Sequence, residues 1–273
     1  MENLKLWSLL IVSVIVSSNL FAGTVVRTQE SNAAGQVVSE NEILSKDYLL
    51  AVNARGEDRV IFNAREQVFT VVIGSQRSYL EIGEEQIAQF GEVMANAQRQ
   101  IDQALQAVPA NQRERMRQMM ASRMPGLGDA GKPAPEFKVE ATGESREISG
   151  YTTQQYIVSA DGQRVSELWV APWNSLEGGA TLKDNIESMA GFMQGMLDMM
   201  PNMGMDLGSG QDIWMRALDS IDGFPVESLY FEGRGNRPVR TITLTAIESR
   251  ELGSELFSVP EGYRRQEMEL PRF

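Results

Sequence analysis

Short runs in which apolar and polar residues alternate recur along the chain, and turn-forming residues follow each run. Such runs predict β-strands, and a short turn between two of them predicts a hairpin. Gly74-Ser75 suits a type II′ turn and Asp161-Gly162 a type I′ turn, while Gly143 separates another pair. The five predicted hairpins join 49–53 with 59–63, 68–73 with 78–82, 137–141 with 145–148, 156–159 with 164–171, and 226–232 with 239–246. Because no strand–helix–strand rhythm interrupts them, they indicate an antiparallel meander.

Three other stretches have apolar residues at spacings of three and four, which predicts amphipathic helices. The first covers 84–108. The second covers 112–124 and carries methionines on one side, with arginines around them. The third covers 181–200, and Thr181 with Asp184 approximates a capping box at its start.

The helices need an apolar surface against which to bury their stripes, and an antiparallel sheet offers one on a single face. We therefore predict an α+β fold: a curved antiparallel β-sheet, or half-open barrel, with the amphipathic helices covering its concave face. The helices lie in two insertions, at about 84–124 and 181–220. Neither insertion has a core without the sheet, so residues 23–273 are predicted to form a single domain.

The first 22 residues have the layout of a secretory signal peptide. Lys5 precedes an apolar run at 6–16, and Ala22 supplies the small residue that a signal peptidase requires. The run is shorter than the roughly 20 residues that span a bilayer; the alternative is an uncleaved anchor. A chain without cysteine needs no disulfide chemistry to fold, which suits export. We predict that residues 1–22 are removed and that the protein is periplasmic.

Composition removes several functional classes. Aspartate and glutamate number 37 against 25 lysines and arginines, a net charge of −12, which disfavours binding to nucleic acid. The chain has no histidine and no cysteine, so it lacks an imidazole base, a thiolate nucleophile and a Cys/His zinc site. The letters at 126–131 copy a dinucleotide fingerprint, but they follow no strand and run into prolines. The sequence predicts a protein that is not an enzyme and has no cofactor.

Methionine is concentrated in two patches, at 116–124 and 189–215. Its thioether side chain is flexible and polarisable, so such patches suit contact with an apolar ligand of irregular shape. We predict that a lipid, an acyl chain or another hydrophobic ligand is held between the sheet and the helices. The predicted lining residues are Phe90, Met94, Met116, Met120, Met189, Phe192, Met193 and Met196.

Two alternatives to a lipid site remain open on the same residues. Clustered thioethers bind Cu(I), so the protein could instead bind copper in the periplasm. The candidate copper ligands are Met196, Met199, Met200, Met203 and Met205. The other alternative is an envelope protein-interaction module, in which the helical stripes dock on a partner protein.

Arginines surround the first methionine patch, and a guanidinium group binds phosphate through two hydrogen bonds. We predict that Arg113, Arg117 and Arg123 contact a headgroup or the membrane surface, which gives the protein a peripheral membrane contact. The alternative is an ordinary solvated face. In the third helix, Gly191 and Gly195 are interpreted as a smooth strip that lets the helix lie close to the sheet, with a hinge as the alternative.

Several motifs point to a family. The stretch 142–151, Thr-Gly-Glu-Ser-Arg-Glu-Ile-Ser-Gly-Tyr, leads into a hairpin and then into a Trp-Val strand at 167–171. These motifs, with the helical insertion at 109–124 and the ending at 257–263, resemble an uncharacterised domain-of-unknown-function family of Met-rich bacterial envelope proteins. That family is similar in layout to the LolA/LolB lipoprotein carriers, in which helices cover a half-open barrel and acyl chains lie between them. The resemblance implies this fold and lipophilic binding, and it brings no catalytic residues.

Overall fold

The computed structural model describes residues 22–106, 109, 112, 136–199, 217–233 and 235–267. Within these ranges the chain forms twelve strands and two long helices. The strands are β1 (Ala22–Asn32), β2 (Val37–Lys46), β3 (Leu49–Val52), β4 (Arg59–Asn63), β5 (Val68–Ile73), β6 (Ser78–Ile82), β7 (Phe137–Ile148), β8 (Tyr151–Ala160), β9 (Gln163–Ala171), β10 (Phe224–Tyr230), β11 (Arg240–Glu251) and β12 (Arg264–Gln266). The helices are α1 (Glu84–Gln106) and α2 (Gly179–Met199).

All twelve strands belong to one sheet, in the order β12-β6-β5-β4-β3-β2-β1-β11-β10-β9-β8-β7. Strands β1–β6 form one antiparallel meander and β7–β11 form a second, and the pairing of β1 with β11 joins the two. Among these strands, the short β12 alone runs parallel to its neighbour, β6. The order has two ends, so the described sheet is open and is not a closed barrel. The predicted α+β class with an antiparallel sheet is confirmed.

Four of the five predicted hairpins are confirmed: β3–β4, β5–β6, β8–β9 and β10–β11. In the β8–β9 turn, Asp161 and Gly162 both have positive φ, 50° and 74°, as in a type I′ turn. The β5–β6 connection differs from the predicted type II′ turn. It is a 3-10 turn at Gly74–Gln76, and Arg77 follows it in the left-handed region, so four residues separate the strands.

The predicted hairpin around Gly143 is wrong. The two runs that flank it are one strand, β7, which pairs with β8 along its length. Gly143 has φ 81° and lies in an irregularity of that pairing. The turn instead follows at Ser149-Gly150, where φ is 51° and 82°. Glycine with positive φ occurs in bulges as well as in turns, so the residue type alone predicted the wrong feature.

Both helices that the structure describes were predicted. Helix α1 begins at Glu84, and α2 covers nearly the predicted 181–200. Because α2 begins earlier, at Gly179, Thr181 lies within its first turn and is not the N-cap of a capping box. The second predicted helix, 112–124, lies outside the described residues apart from Gln112. Neither described helix is long and apolar enough to cross a membrane.

The core of the concave face lies beneath α2. Its buried residues include Phe62 from one meander, Leu244 from the other, and Leu182 and Ile186 from the helix. One helix contacts strands of both meanders because the sheet curves around it. Five of the described strand pairs carry a bulge or register shift, and bulges bend and twist strands. The predicted curvature and helical cover are therefore confirmed.

A second core lies on the opposite face of the sheet. Val25 and Val26 are neighbours in β1 and both are 0% exposed, although successive strand residues point to opposite faces. Val26 belongs to the cluster beneath α2, whereas Val25 packs with Leu252 and Phe257 from the segment after β11. The C-terminal segment therefore covers the convex face, as α2 covers the concave face.

Asn185 attaches the first half of α2 to the sheet. The residue is 2% exposed, and its Nδ2 donates a hydrogen bond to Ser45 Oγ at 2.9 Å. The same nitrogen lies 3.1 Å from the carbonyl oxygen of Asp47 and 3.2 Å from that of Leu49. These acceptors lie at the turn between β2 and β3, so one amide group holds the helix over that turn.

Replacing Asn185 with alanine should lower the free energy of unfolding by about 2–3 kcal/mol, because buried hydrogen bonds are lost and the Ser45 hydroxyl is left without its donor. Urea denaturation of the purified protein measures the change. Asn174→Ala is the matched control, because Asn174 is exposed and lies just before α2; it should change stability by less than about 0.5 kcal/mol. Equal, small effects of both substitutions would contradict the anchoring role.

Candidate ligand-binding cavity

A cavity of about 410 Å³ lies between the concave face of the sheet and α2. Small-molecule sites in proteins typically occupy roughly 300–1,000 Å³, so this volume is at the lower end of that range. The wall beside the helix is apolar: Ile43, Val52 and Phe69 contribute from the first meander, and Met189 and Met193 contribute from α2. Strands β10 and β11 of the second meander close the other side.

An aromatic cluster supports the apolar wall. The ring centroid of Phe69 lies 4.7 Å from that of Phe62 and 5.4 Å from that of Phe192, and the rings of Phe62 and Phe192 are 5.9 Å apart. These distances are in the range in which aromatic pairs attract each other beyond simple burial. The cluster joins β4, β5 and α2, so it fixes the helix relative to the wall.

A row of polar side chains forms the other end of the cavity. In the register of β1 and β2, Thr28 lies opposite Asn41 and Glu30 lies opposite Ser39. All four residues line the cavity. Opposite residues of an antiparallel pair share a face of the sheet, so the four side chains lie side by side on the concave face.

Arg240 of β11 completes this polar end. Its Nη1 lies 3.8 Å from Glu30 Oε1, and its Cζ lies 4.3 Å from the ring centroid of Tyr230. The side chains of Arg240 and Glu30 are only 19% and 24% exposed. A guanidinium group over an aromatic face gains a cation–π attraction, which holds its plane against the ring. The cavity is therefore amphipathic, with an apolar wall along α2 and one pair of opposite charges at the other end.

Two ionisable groups beside α2 have a raised pKa. The hydrogen bond from Lys183 to Asp222, with an Nζ–Oδ1 distance of 3.0 Å, raises the pKa of Lys183, and the charge of Glu187 adds to the effect. Burial, and then the nearby Glu177 carboxylate, raise the pKa of Tyr151. Lys183 therefore keeps its charge and links α2 to the segment before β10.

The predicted lining residues that the structure describes fall into two groups. Met189 and Met193 line the cavity. Phe192 lies in the aromatic cluster, and Phe90 and Met196 pack together where α1 contacts α2, with Met196 only 8% exposed. The last three therefore support the wall and the helix pair, and they are not among the residues that line the cavity.

The remaining predicted residues lie outside what the structure describes. They are the side chain of Met94 and the whole of Met116, Met120, Arg113, Arg117 and Arg123. Among the candidate copper ligands, Met196 is described, whereas the side chain of Met199 and all of Met200, Met203 and Met205 are not. The headgroup contact and the copper site therefore stay predictions.

The interpretation of Gly191 and Gly195 as a close-packing strip is wrong for the described part of the chain. A Cβ atom added at either position would meet no described atom within 4 Å beyond the helix itself. Close helix packing would bring sheet atoms within van der Waals distance of these glycines. The two glycines therefore do not set the distance between α2 and the sheet.

The polar end of the cavity was not found by sequence patterns. Residues 27–32 and 39–42 are polar at nearly every position, so neither stretch has the two-residue apolar period that marks a half-buried strand. Arg240 follows Arg234 and Arg237 at a spacing of three, and nothing in that local pattern distinguishes it from its neighbours. These polar residues come together only through the register in which β1 pairs with β2 and β11, and sequence patterns do not reveal that register.

The fold and the cavity define the class of this protein: an α+β protein in which a curved, open antiparallel sheet and a covering helix enclose an amphipathic cavity. Residues 64–263 match the family described as "Domain of unknown function (DUF4412)". The chain belongs to this family, and the predicted membership of a domain-of-unknown-function family is confirmed. Comparison with curated protein sequences gives no match.

Several solved structures are similar to the chain at low scores. PNGF-II aligns over 91% of this chain and 31% of its own length, at 11% identity and a TM-score of 0.37. MucB in complex with MucA(peri) aligns over 88% and 55%, at 10% identity and a TM-score of 0.32. The Pseudomonas aeruginosa MucA/MucB complex gives 8% identity and a TM-score of 0.32. The chain spans about a third of PNGF-II and just over half of MucB, and likeness at this level carries no inference about function.

Proposed function

We propose that this protein binds a hydrophobic or amphiphilic small molecule in the cavity beneath α2, and that it acts by binding and not by catalysis. The observation that carries the proposal is the cavity itself, about 410 Å³ in volume, with an apolar wall built from the sheet and the helix. A mostly apolar concavity with a few convergent polar groups is the usual form of a small-molecule site. The first 22 residues support the periplasm as the place of action.

The methionines of α2 suit such a ligand. Met189 and Met193 present unbranched thioether side chains to the cavity, and these side chains can adjust to the shape of a chain-like ligand. Each methylene group that leaves water for an apolar wall contributes about 0.8 kcal/mol. About eight buried methylene groups would therefore contribute about 6 kcal/mol before the entropic cost of association.

The charged groups of the cavity favour binding over catalysis. The charged side chains that line it are Glu30 and Arg240, and they lie beside each other. Acid–base and nucleophilic catalysis need a nucleophile or a base with an activating neighbour, and the whole chain has neither histidine nor cysteine. A charge pair of this kind can instead orient a bound polar group.

Titration with N-phenylnaphthylamine, an uncharged probe that fluoresces in apolar surroundings, tests the proposal. The unchanged protein should bind the probe. The variant Met189→Asp/Met193→Asp should weaken binding at least about tenfold, because two carboxylates replace two thioether side chains of the apolar wall. Met196 is left unchanged in this variant because it packs against α1.

Gly191→Asp is the matched control. It adds a carboxylate to the exposed side of the same helix, so it should change the probe affinity by less than about twofold. Circular dichroism checks that all three proteins are folded. Absence of probe binding to the unchanged protein, or equal binding to the folded double variant, would refute the proposal. Native mass spectrometry of protein released gently from cells adds a direct readout, in which a lipid mass supports the proposal and copper alone supports the thioether site.

A further inference from the structure

The polar row of the cavity has hydrogen-bonding capacity that the described residues do not use. Within the described residues, the side chains of Thr28, Ser39 and Asn41 make no hydrogen bond, although all three line the cavity and are at most partly exposed. Polar groups in such surroundings are normally paired with protein, ordered water or ligand. An apolar ligand would offer this row no hydrogen bond and would leave its pairing to water alone.

Ser228 extends the row onto the second meander. It is 4% exposed, lines the cavity, and makes no side-chain hydrogen bond in the described part of the chain. Its register partner on β11 is Ile242, which also lines the cavity. The polar end therefore spans both halves of the sheet, and a group bound there can contact both.

The Arg240 side chain is held in place by its neighbours, but its guanidinium N–H donors remain unused among the described residues. Its guanidinium lies over the Tyr230 ring, and the 3.8 Å separation from Glu30 is longer than a hydrogen bond. Among the described residues no side-chain hydrogen bond from Arg240 is formed. A guanidinium group has five N–H donors in a fixed plane and binds phosphate or carboxylate through two of them. The geometry therefore presents a preoriented anion-binding group, with a carboxylate next to it.

We propose that the ligand is a single-chain amphiphile with a zwitterionic head group, an inference that rests on the proposed binding function. The chain lies along Met189 and Met193, the anionic part of the head pairs with Arg240, and the cationic part pairs with Glu30. A head with only a negative charge would lie close to the Glu30 carboxylate and be repelled by it. A neutral head would form no charge-assisted hydrogen bond with either group, and a two-chain lipid exceeds a cavity of about 410 Å³.

Displacement of N-phenylnaphthylamine by three amphiphiles of equal chain length tests the head group. The probes are lysophosphatidylethanolamine with a chain of about eight carbons, which a cavity of about 410 Å³ can hold, and the corresponding fatty acid and fatty alcohol. The zwitterion should bind at least about tenfold more tightly than the alcohol, because charge-assisted hydrogen bonds form only with the former. Equal affinities for all three would overturn the proposed head group, while binding of the neutral probe would still support the cavity.

Two substitutions at the polar end should act in opposite directions on the fatty acid. Arg240→Gln should weaken lysophosphatidylethanolamine and fatty acid binding about tenfold or more and leave the alcohol within about twofold. Glu30→Gln should weaken the zwitterion but strengthen the fatty acid, because the repelling carboxylate is gone.

Arg250→Gln is the matched control. Arg250 lies on the same strand and its Nη1 is also 3.8 Å from a glutamate oxygen, but it does not line the cavity. This variant should bind all three amphiphiles as the unchanged protein does. If Arg240→Gln weakens the alcohol and the neutral probe as much as the zwitterion, Arg240 has a structural role and the head-group proposal is wrong.

Discussion

Replacing Phe62 with alanine should lower the free energy of unfolding by about 3–5 kcal/mol. Phe62 is 0% exposed and lies in the core beneath α2. Its ring contacts those of Phe69 and Phe192, so the truncation removes its own buried area and leaves a cavity where β4, β5 and α2 meet. Urea denaturation with a fixed slope for both proteins measures the loss.

A conservative substitution at the same position tests whether lost packing causes the decrease in the free energy of unfolding. Phe62→Leu keeps most of the volume and should cost less than about 1.5 kcal/mol. Phe62→Ala should also weaken binding of N-phenylnaphthylamine, because Phe69 lines the cavity and loses the ring that supports it. A loss below about 1 kcal/mol for the alanine variant would mean that the aromatic cluster does not hold the helix to the sheet.

Adding one methyl group at Gly178 should cost about 4 kcal/mol. Gly178 has φ +68°, a left-handed conformation that costs a non-glycine residue about 1–3 kcal/mol. A Cβ atom at this position would also clash with Thr24 Oγ1, and relief of such a contact in a packed interior costs about 1–3 kcal/mol more. Gly178 directly precedes α2, so a backbone movement that relieves the clash would also displace the start of the helix.

Two further substitutions separate the backbone part of this cost from the steric part. Gly150→Ala places the same methyl group at φ +82° with no described atom within 4 Å, so it should show only the backbone part, about 1–3 kcal/mol. Thr24→Ala removes the colliding hydroxyl, so Gly178→Ala/Thr24→Ala should be more stable than the sum of the single changes predicts. Additive effects in this cycle would contradict the steric cause.

Local features of the fold could be predicted from the sequence. The strands of β5–β6 and β8–β9 are neighbours in the chain, and their alternation and turns are encoded within about 20 residues. The start of α1 followed in the same way from the spacing of its apolar residues. The error around Gly143 shows the limit of this reasoning, because one positive-φ glycine fits both a bulge and a turn.

The pairing that joins the two meanders could not be predicted. Strands β1 and β11 are separated by about 200 residues, and no local pattern specifies which strand edges meet. The same reason explains why the candidate site was found only in part. Met189 and Met193 lie on one helix and share a periodic stripe, whereas the charge pair joins Glu30 of β1 to Arg240 of β11 and exists only after those strands have paired.

The position of β1 within the sheet has a consequence for the order of events during synthesis. The first described strand lies between β2 and β11, so one of its edges stays unpaired until Arg240–Glu251, about 200 residues further along the chain, is available. A nascent polypeptide emerges from the ribosome N-terminus first, so the β1–β6 half is made early and keeps an exposed edge until β11 has been made. We expect β1 to complete its pairing only after β11 is available, and chains that terminate before β11 to aggregate or to be degraded.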